Sequence, residues 1–558
     1  TIGRRCGASS HPTRAQAPPE AVSPMDAPVT ARRLAHAATL MAAATVASRF
    51  LGLVREVVAA ALFGASNEKA AYVIGYYLPF FFQRLLLGGT LSIVFIPTIT
   101  EYLTRGDRAE TARAAAILFN LVLLLGTGMV LLGEVAAPLL VQVAAPGFEA
   151  HPGLLPLAVH LTRIIFVAML FLALAVYATG FLQAHQRFTA PALAPLVFNL
   201  VIIGGTLWLG PRIGIRGMAL AWVGGTAAQF LVQWPAMRRA GFRYLPRLEL
   251  RHPAVGRFGR LAFPAMLGLA VLEINAYVSR FFASFLPAGP GGNAVAVLDY
   301  AYEVMQAPVG IVAVSLATAV FPTLARKAAA GDRYGLRATT GFGLRMVLVL
   351  ILPVVALLLV LAEPLVRLLF QRGEFRPEAT AAVASALRAY TLGLAAVAAY
   401  YIVTRAFYAL QDMATPVKVG GGMVILNAIL APVLMRPLGA AGIALATSTV
   451  NLTNVALLLW LLRRRLGGFE GRRTLGAVTR AAAAAALAGV SAVAVTLGAT
   501  GRLATGAAST ALLLLIAGSL GLAVYVTASW SLRVEEIRAV RDLLWRRMPS
   551  PGAPWVRG

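Results

Sequence analysis

Ten ionisable side chains lie inside apolar stretches that are long enough to cross a membrane. They are Arg49, Arg55, Glu56, Arg84, Glu134 and Arg163 in the first half, and Glu273, Arg280, Glu303 and Arg388 in the second. Charged groups are costly inside a bilayer and usually serve a function there. Guanidinium donates two parallel hydrogen bonds and stays charged at physiological pH, which suits phosphate. The excess of arginines predicts an anionic, phosphate-bearing ligand and argues against a transporter of cationic drugs.

Three of these arginines, Arg49, Arg55 and Arg84, are the main candidates for a binding role. Arg49 and Arg55 are six residues apart, a turn of about 600° that spreads them around one broad side of a helix. Arg163 and Arg388 lie near the predicted outer parts of their segments, where an arginine can instead reach lipid headgroups or form a structural ion pair.

Helix-breaking residues interrupt two of the apolar stretches: Pro79 with Gly88-Gly89, and Pro308 with Gly310. Such breaks occur where backbone lines a water-filled space, and also as kinks between packed helices. No catalytic constellation accompanies them, because the six histidines are scattered and no paired-carboxylate or phosphate-loop pattern occurs. The single cysteine, Cys6, excludes a disulfide framework and a cysteine-based metal site. We therefore expect a protein that is not an enzyme.

The segments that position these residues are duplicated. One offset of 225 residues, the separation of Arg55 and Arg280, also pairs Pro97 with Pro322, Arg163 with Arg388, Gln186 with Gln411, and Gly214–Ala221 with Gly439–Ala446. A fixed-period self-match is typical of a repeated structural unit. In so apolar a chain it predicts a transporter built of two homologous helical bundles.

Composition places the chain in the membrane. It is 59% hydrophobic and 13% charged over 558 residues, whereas soluble domains carry about 25% charged residues. We predict fourteen spanning helices: 1–6 in an N-lobe at 34–246, 7–12 in a C-lobe at 247–466, and 13–14 at 467–530. Their approximate limits are 34–63, 69–103, 112–144, 153–184, 190–210, 215–238, 258–286, 294–325, 338–362, 379–411, 415–435, 440–462, 475–498 and 503–530. Because the offset covers six helices, an even number, the two lobes are parallel repeats with the same orientation.

Both ends of the chain are predicted to lie in the cytoplasm, because basic residues concentrate in alternate connections. Residues 1–33 are expected to be disordered, and Met25 is an alternative start that would make the preceding residues an upstream artefact. Residues 531–558 are predicted to be a cytoplasmic tail with an amphipathic helix on the membrane surface. Anionic membrane lipids, rather than nucleic acid, account for the net charge of +27.

Several short motifs recur in a fixed order: Ser48–Gly52 with Arg55, Ala145–Phe148, Pro191–Pro195 with Asn199, Phe370–Phe375, and Gln411–Lys418. With these motifs the chain resembles, over residues 34–530, the MurJ (MviN) lipid II flippases of the multidrug/oligosaccharidyl-lipid/polysaccharide exporter superfamily. The resemblance implies an all-α polytopic fold whose two six-helix lobes face a central cationic cavity. Helices 13 and 14 would form a groove for a lipid tail. It also implies a location in the bacterial inner membrane, and we expect a monomer.

The resemblance also implies roles for particular residues. Arg49, Arg55 and Arg84 match cavity arginines of the family, and Glu56 stands where an aspartate is usual. The implied cargo is the undecaprenyl-diphosphate-linked peptidoglycan precursor, lipid II, moved from the inner to the outer leaflet. No cofactor is implied; sodium and the membrane potential are the candidate driving forces, although a full set of sodium ligands is not recognisable.

Besides Glu56, the chain departs from the family at three places. Gln83 replaces a frequent arginine, Leu87-Gly88-Gly89 replaces Ala-Glu-Gly in the second span, and Tyr302-Glu303 replaces an Asp-Arg pair of the eighth span. We predict that Arg280, the repeat mate of Arg55, supplies the cation missing from the second lobe, and that Glu303 is its partner or a gating residue. The departures leave three alternatives open: a flippase for another polyprenyl-diphosphate-linked oligosaccharide, a non-transporting scaffold of cell-wall synthesis, and a membrane enzyme acting on a lipid-linked sugar.

Overall fold

The structure, a computed structural model, describes residues 31–87, 95–104, 107–246, 249, 251–253, 255–256, 277–468, 471–499 and 506–537. Within these ranges the fold is helical and contains no β-strand. The predicted disordered tail and most of the predicted cytoplasmic tail lie outside the described residues, although the first helix already begins at Ala31.

The described part of the N-lobe contains nine α-helices: α1 Ala31–Phe63, α2 Asn67–Leu87, α3 Ile96–Thr104, α4 Arg108–Ala144, α5 Leu154–Phe166, α6 Ala168–Ala184, α7 Thr189–Ile213, α8 Ile215–Leu231 and α9 Trp234–Arg239. In the C-lobe a helical segment at 277–284 precedes α10 Ala294–Pro308, a π-helical turn Val309–Ala313, α11 Val314–Ala329, α12 Arg333–Phe370, α13 Pro377–Thr391, α14 Leu394–Ala409 and α15 Ala414–Leu466. Two further helices follow, α16 Gly471–Ala499 and α17 Ala507–Ser531.

Nine helices among the described residues are long and apolar enough to cross a membrane, and ten if the bent pair α13 and α14 forms one span. Three predicted spans contain an irregularity in the structure, and only the pair α13 and α14 is sharply bent, by 42°. The span at 153–184 divides into α5 and α6, the span at 379–411 into α13 and α14, and the span at 294–325 by the π-helical turn. The count of fourteen spans stays a prediction.

The predicted repeat is visible in local geometry. Gln186 and Gln411, 225 positions apart, have the same unusual positive φ, 56° and 58°. In each lobe an arginine Nε donates to a carbonyl 29 residues earlier, Arg163 to Glu134 O at 3.0 Å and Arg388 to Leu359 O at 3.3 Å. Non-glycine residues rarely adopt a positive φ, so these matches come from duplicated structure and not from chance composition.

The first glycine of each repeated Gly-x-x-Gly run, Gly214 and Gly439, allows the backbone to turn between two helices. Gly214 ends α7 with φ 64°, and its mate Gly439 has φ 56° within α15. A side chain is strained in this left-handed region. Gly439 therefore divides the 53-residue helix α15 into two, which agrees with the two separate spans predicted at 415–435 and 440–462.

The last two helices pack beside the C-lobe. Gly489 of α16 lies against Ala356 of α12, and Tyr525 of α17 donates to the carbonyl of Val349, also on α12, at 2.5 Å. The chain then turns back, and Glu536, which is 4% exposed, pairs with Arg345 of α12 at 2.7 Å. The beginning of the predicted cytoplasmic tail is therefore attached to the C-lobe by a buried ion pair.

Candidate functional site between the lobes

The two lobes meet at one end of the bundle, which carries the connections 64–66, 145–153, 285–293 and 371–376; we call it the closed end. Backbone groups join the lobes directly there. Glu374 N donates to Ala61 O at 3.0 Å, and Asn293 N donates to Ala65 O at 2.8 Å. Tyr300 donates its hydroxyl hydrogen to Gly64 O at 3.0 Å. Several further hydrogen bonds join described residues of the two lobes in this half of the molecule. At the opposite end, the start of the segment that follows the N-lobe is held to α4, where Glu249 accepts from Arg113 at 2.6 Å and His252 lies 3.0 Å from Glu110.

Glycine is required where these backbones approach. A Cβ atom added to Gly64, whose φ is +56°, would lie 2.5 Å from Glu374 O. A Cβ atom added to Gly373, also at φ +56°, would lie 2.2 Å from Ala61 O. Both the dihedral angle and the space exclude larger residues. The Phe370–Phe375 motif was noted in the sequence, and the structure brings it into contact with Ala61 and Gly64 at the end of α1.

Beneath the closed end lies a buried network of charges. Glu56 of α1 accepts from Arg55 at 2.9 Å and from Lys69 of α2 at 2.8 Å. Lys69 Nζ also lies 3.4 Å from Asp299 Oδ2 of α10, so the network crosses from the N-lobe to the C-lobe. Lys69 is fully buried and Asp299 is 1% exposed. Breaking one partner out of a buried ion pair is strongly destabilising, which makes this network a lock between the lobes.

Arg280 completes the network from the C-lobe. Its guanidinium lies 3.8 Å from Asp299 Oδ1 and 3.3 Å above the ring centre of Tyr77, a residue of α2. Tyr76 donates its hydroxyl hydrogen to the same Asp299 oxygen at 2.9 Å. Arg280 is 8% exposed. It therefore lies between the lobes and does not extend into lipid.

Arg280 and its repeat mate Arg55 occupy comparable surroundings. Each guanidinium is held beside a carboxylate and over an aromatic ring, Trp222 at 5.2 Å in the case of Arg55. The predicted pairing of Arg280 with Glu303 is wrong, because Asp299, one turn earlier on α10, lies at the level of Arg280. Glu303 is half-buried and makes no hydrogen bond or ion pair with any residue that the structure describes.

Arg49 lies apart from this network. It is six residues before Arg55 on α1, which places it about 9 Å further from the closed end. A Cβ atom added to Gly310, in the π-helical turn of the C-lobe, would lie 1.7 Å from Arg49 Nη1. The Arg49 guanidinium therefore reaches the C-lobe and contacts the backbone at Gly310, where any larger residue would collide with it. Gly310 was predicted to interrupt its span, and the π-helical turn after Pro308 confirms the interruption.

Several predicted site residues are not brought into the network. The backbone of Arg84 belongs to α2, but its side chain lies outside the described residues, as do Glu273 and Gly88-Gly89. Arg163 pairs with Glu134 at 3.8 Å and Arg388 with Glu363 at 3.8 Å, all four being well exposed. These two arginines form structural ion pairs, which was one of the two predicted alternatives.

Lys69 and Asp299 were missed in the sequence. Lys69 was placed at the boundary of a predicted span, where a lysine is unremarkable, and Asp299 was assigned to the first turns of another span. A usable signal existed: Asp299 and Glu303 are four apart and so share one face of a helix. Within the network and its immediate surroundings the charges balance, because Arg55, Lys69 and Arg280 are matched by Glu56, Asp299 and the unpaired Glu303. Arg49 lies outside this balance.

Within the described ranges no three His, Cys, Asp or Glu side chains come together in a way that could hold a metal ion. The arrangement instead has the properties of a transport site: two lobes, a sealed end, and arginines whose present partners are carboxylates. A phosphate group could replace those carboxylates, since it accepts the same paired hydrogen bonds.

Comparison with solved structures identifies the class. The fold matches an inward-facing multidrug resistance MATE family transporter of the MOP superfamily with a TM-score of 0.63 at 15% identity, over 75% of this chain and 94% of that one. It matches lipid II flippase MurJ in an inward closed conformation with a TM-score of 0.72 at 24% identity, over 91% of this chain and 100% of that one. The protein thus has the same two-lobed, all-α fold as these two structures.

Sequence comparison identifies the family. The family model described as lipid II flippase MurJ matches residues 59–513. The lipid II flippase MurJ of Burkholderia cenocepacia is 32% identical, aligning 75% of this chain with 82% of its own length. The probable lipid II flippase MurJ of Rhizobium meliloti is 34% identical, with 74% and 78% aligned. The chain therefore belongs to the lipid II flippase MurJ family, and the resemblance read from the sequence is confirmed.

Proposed function

We propose that this chain is a multi-pass protein of the bacterial inner membrane that moves lipid II from the inner to the outer leaflet by alternating access. Its membership of the lipid II flippase family supports this cargo. The observation that carries the mechanism is the buried network of Glu56, Lys69 and Asp299, which joins the lobes beneath the closed end.

The positive-inside rule supports the sidedness of this lock. The connections at the closed end include 285–293, which contains no lysine or arginine, whereas the strongly basic connections lie at the opposite end. On this basis the closed end faces outward, and the cavity receives its cargo from the cytoplasmic side.

The same network suggests how cargo opens the lock. Arg55 and Arg280 each hold a carboxylate at the closed end. When the diphosphate of the cargo reaches them, it competes with Glu56 and Asp299 for the guanidinium groups. The released carboxylates then repel one another, and the lobes separate on the outer side. Arg49, about 9 Å nearer the cytoplasm, contacts the diphosphate earlier, and we assign Arg84 to the same cavity.

The membrane potential is a sufficient driving force for this direction of transport. Moving one charge through 100 mV corresponds to about 2.3 kcal/mol, and an outward-moving anion gains this energy because the cytoplasm is negative. Sodium coupling is the alternative proposal. Transport by proteoliposomes in sodium-free buffer, with an imposed potential of either sign, separates the two.

Arg49→Ala and Arg55→Ala test the arginine site in a strain depleted of its own lipid II flippase. We expect neither variant to support growth, although both accumulate in the membrane, and we expect lysine at either position to restore growth partly because it binds phosphate without the fork. Arg388→Ala is the matched control, since that arginine forms an exposed ion pair. Normal growth of both alanine variants would contradict the mechanism.

The substitutions Gln83 and Tyr302-Glu303 favour a second candidate, a flippase for another polyprenyl-diphosphate-linked oligosaccharide. Competition in proteoliposomes between lipid II and an undecaprenyl-diphosphate glycan without the peptide distinguishes the two cargoes. Preference for the second compound would show that this glycan, and not lipid II, is the cargo, while the proposed mechanism would still hold. Transport of neither would favour a non-transporting scaffold.

A further inference from the structure

Arg405 is an intramembrane arginine that the proposed mechanism does not yet use. It lies on α14 in a stripe with Tyr401 and Tyr408, at the i, i+4, i+7 spacing that places residues on one helix face. The three side chains are half-buried, whereas Ile402 and Ala406 beside them are fully buried. Tyr400 and Ala409 of the same helix are half-buried as well, so one side of α14 is only partly covered by its neighbours.

The contacts of Arg405 are aromatic. Its guanidinium carbon lies 5.4 Å from the ring centre of Phe321 on α11 and 6.0 Å from that of Tyr408. No carboxylate lies within 4 Å of it in the described part of the chain. Arg163, Arg345 and Arg388, which also lie on membrane-length helices, each have one. A half-buried guanidinium held by rings alone is a prepared site for an anion.

The space beside Arg405 is not the lipid phase. Helices that face lipid expose large apolar side chains, such as Val490 of α16 at 66% and Leu515 of α17 at 67%. No large hydrophobic residue of α14 is exposed to that degree. On α11, which contacts Arg405 through Phe321, the exposed residues are small or polar, among them Ser315, Thr318, Ala319 and Pro322. Such a surface is expected beside water and not beside lipid.

Position along the bundle relates Arg405 to the other arginines. Asp299, Gly310 and Phe321 follow one another at intervals of eleven residues on the continuous α10–α11 rod, about 16 Å each. Arg280 rests on the first, Arg49 on the second and Arg405 on the third. Arg405 is also four residues, about 6 Å, from the end of α14 opposite the closed end.

We propose that Arg405, with Tyr401 and Tyr408, forms an entry subsite for the diphosphate of the cargo at the cytoplasmic end of the cavity. The diphosphate binds Arg405 first, passes to Arg49, and finally reaches Arg55 and Arg280. The tyrosine hydroxyls add neutral donors beside the guanidinium. This inference rests on the proposed function, because it concerns an earlier step of the same transport path.

The test compares purified wild-type protein with R405Q, R405K and the control R388Q, all in lipid nanodiscs, and measures lipid II binding and transport. Loss of one charge-assisted hydrogen bond, about 1.5–3 kcal/mol, corresponds to at least a tenfold loss of affinity. We expect R405Q to raise the half-saturating lipid II concentration about tenfold with little change in maximal rate, R405K to be intermediate, and R388Q to match wild type.

Wild-type half-saturation in R405Q would overturn the entry subsite while leaving the lipid II function in place. If R405Q does not fold, unchanged affinity in R405K would overturn it, because lysine lacks the two-pronged fork. If the wild type does not bind lipid II at all, the proposed function fails. The same titration with undecaprenyl diphosphate, which has the lipid and diphosphate without the sugars, then still decides whether Arg405 binds diphosphate.

Discussion

Replacing Lys69 by methionine should open the closed end. Lys69 Nζ lies 2.8 Å from Glu56 and 3.4 Å from Asp299, and the lysine is fully buried. Methionine keeps most of the side-chain volume but leaves two carboxylates in the interior without their shared cation. Breaking a buried ion pair costs about 3–5 kcal/mol. Since the carboxylates regain water when the lobes separate, the closed state bears most of this cost.

The expected change in population follows from that energy. At 1.4 kcal/mol for each factor of ten, a cost of about 3 kcal/mol shifts the equilibrium between closed and open outer ends roughly a hundredfold. Lys327→Met is the matched control: its Nζ lies 2.8 Å from Asp332, the same distance, but both side chains are substantially exposed. Such surface pairs contribute about 0–1 kcal/mol.

Distances between spin labels on the two lobes measure this shift. The chain has one cysteine, Cys6, so Cys6→Ser gives a cysteine-free background. Labels at Ala150→Cys and Ala288→Cys lie on exposed connections of the closed end, one in each lobe. We expect Lys69→Met to add a longer distance that becomes the main population, and Lys327→Met to leave the distribution unchanged. Identical distributions in the two variants would refute the lock.

Three further outcomes are expected. Cysteines at Gly241 and Gly289 should react with impermeant reagents from the cytoplasmic and the outer side respectively, and the reverse pattern would invalidate the orientation. Gly310→Ala should reduce transport severalfold, because its Cβ atom would lie 1.7 Å from Arg49 Nη1; combined with Arg49→Ala it should do no further harm, and additive losses would contradict that contact. Arg280→Ala should abolish transport without loss of folded protein, and normal transport would remove Arg280 from the site.

The sequence was sufficient for the architecture because duplication and hydropathy are properties of the whole chain. The 225-residue offset predicted equivalent turns at Gln186 and Gln411, and their positive φ angles agree. Helix breaks were less predictable. Leu154–Ala184 is mostly apolar but includes His160 and Arg163, and no local sequence pattern marks the irregularity between α5 and α6 at Val167.

The candidate site was predictable only in part. Arg55 and Arg280 were found through the repeat, and Arg49 through its position within an apolar stretch. Their partners were harder to find, because Lys69 and Asp299 lie near helix ends, where charges are common, and meet only after the lobes close. A pairing 230 positions apart in sequence has no local signature. The assignment of Glu303 as the partner of Arg280 failed for the same reason. The sequence shows that Asp299 and Glu303 are one turn apart on α10, but it does not show which of them lies level with Arg280.

The most direct test of the central proposal is the fraction of lipid II exposed at the outer leaflet in cells where this chain is the sole flippase. Depleting it should cause lipid II to accumulate in the inner leaflet. Wild-type chain should restore the outer fraction, whereas Arg49→Ala and Arg55→Ala variants present at equal levels should not. An outer-leaflet fraction that stays constant through depletion would contradict the proposal that this protein moves lipid II.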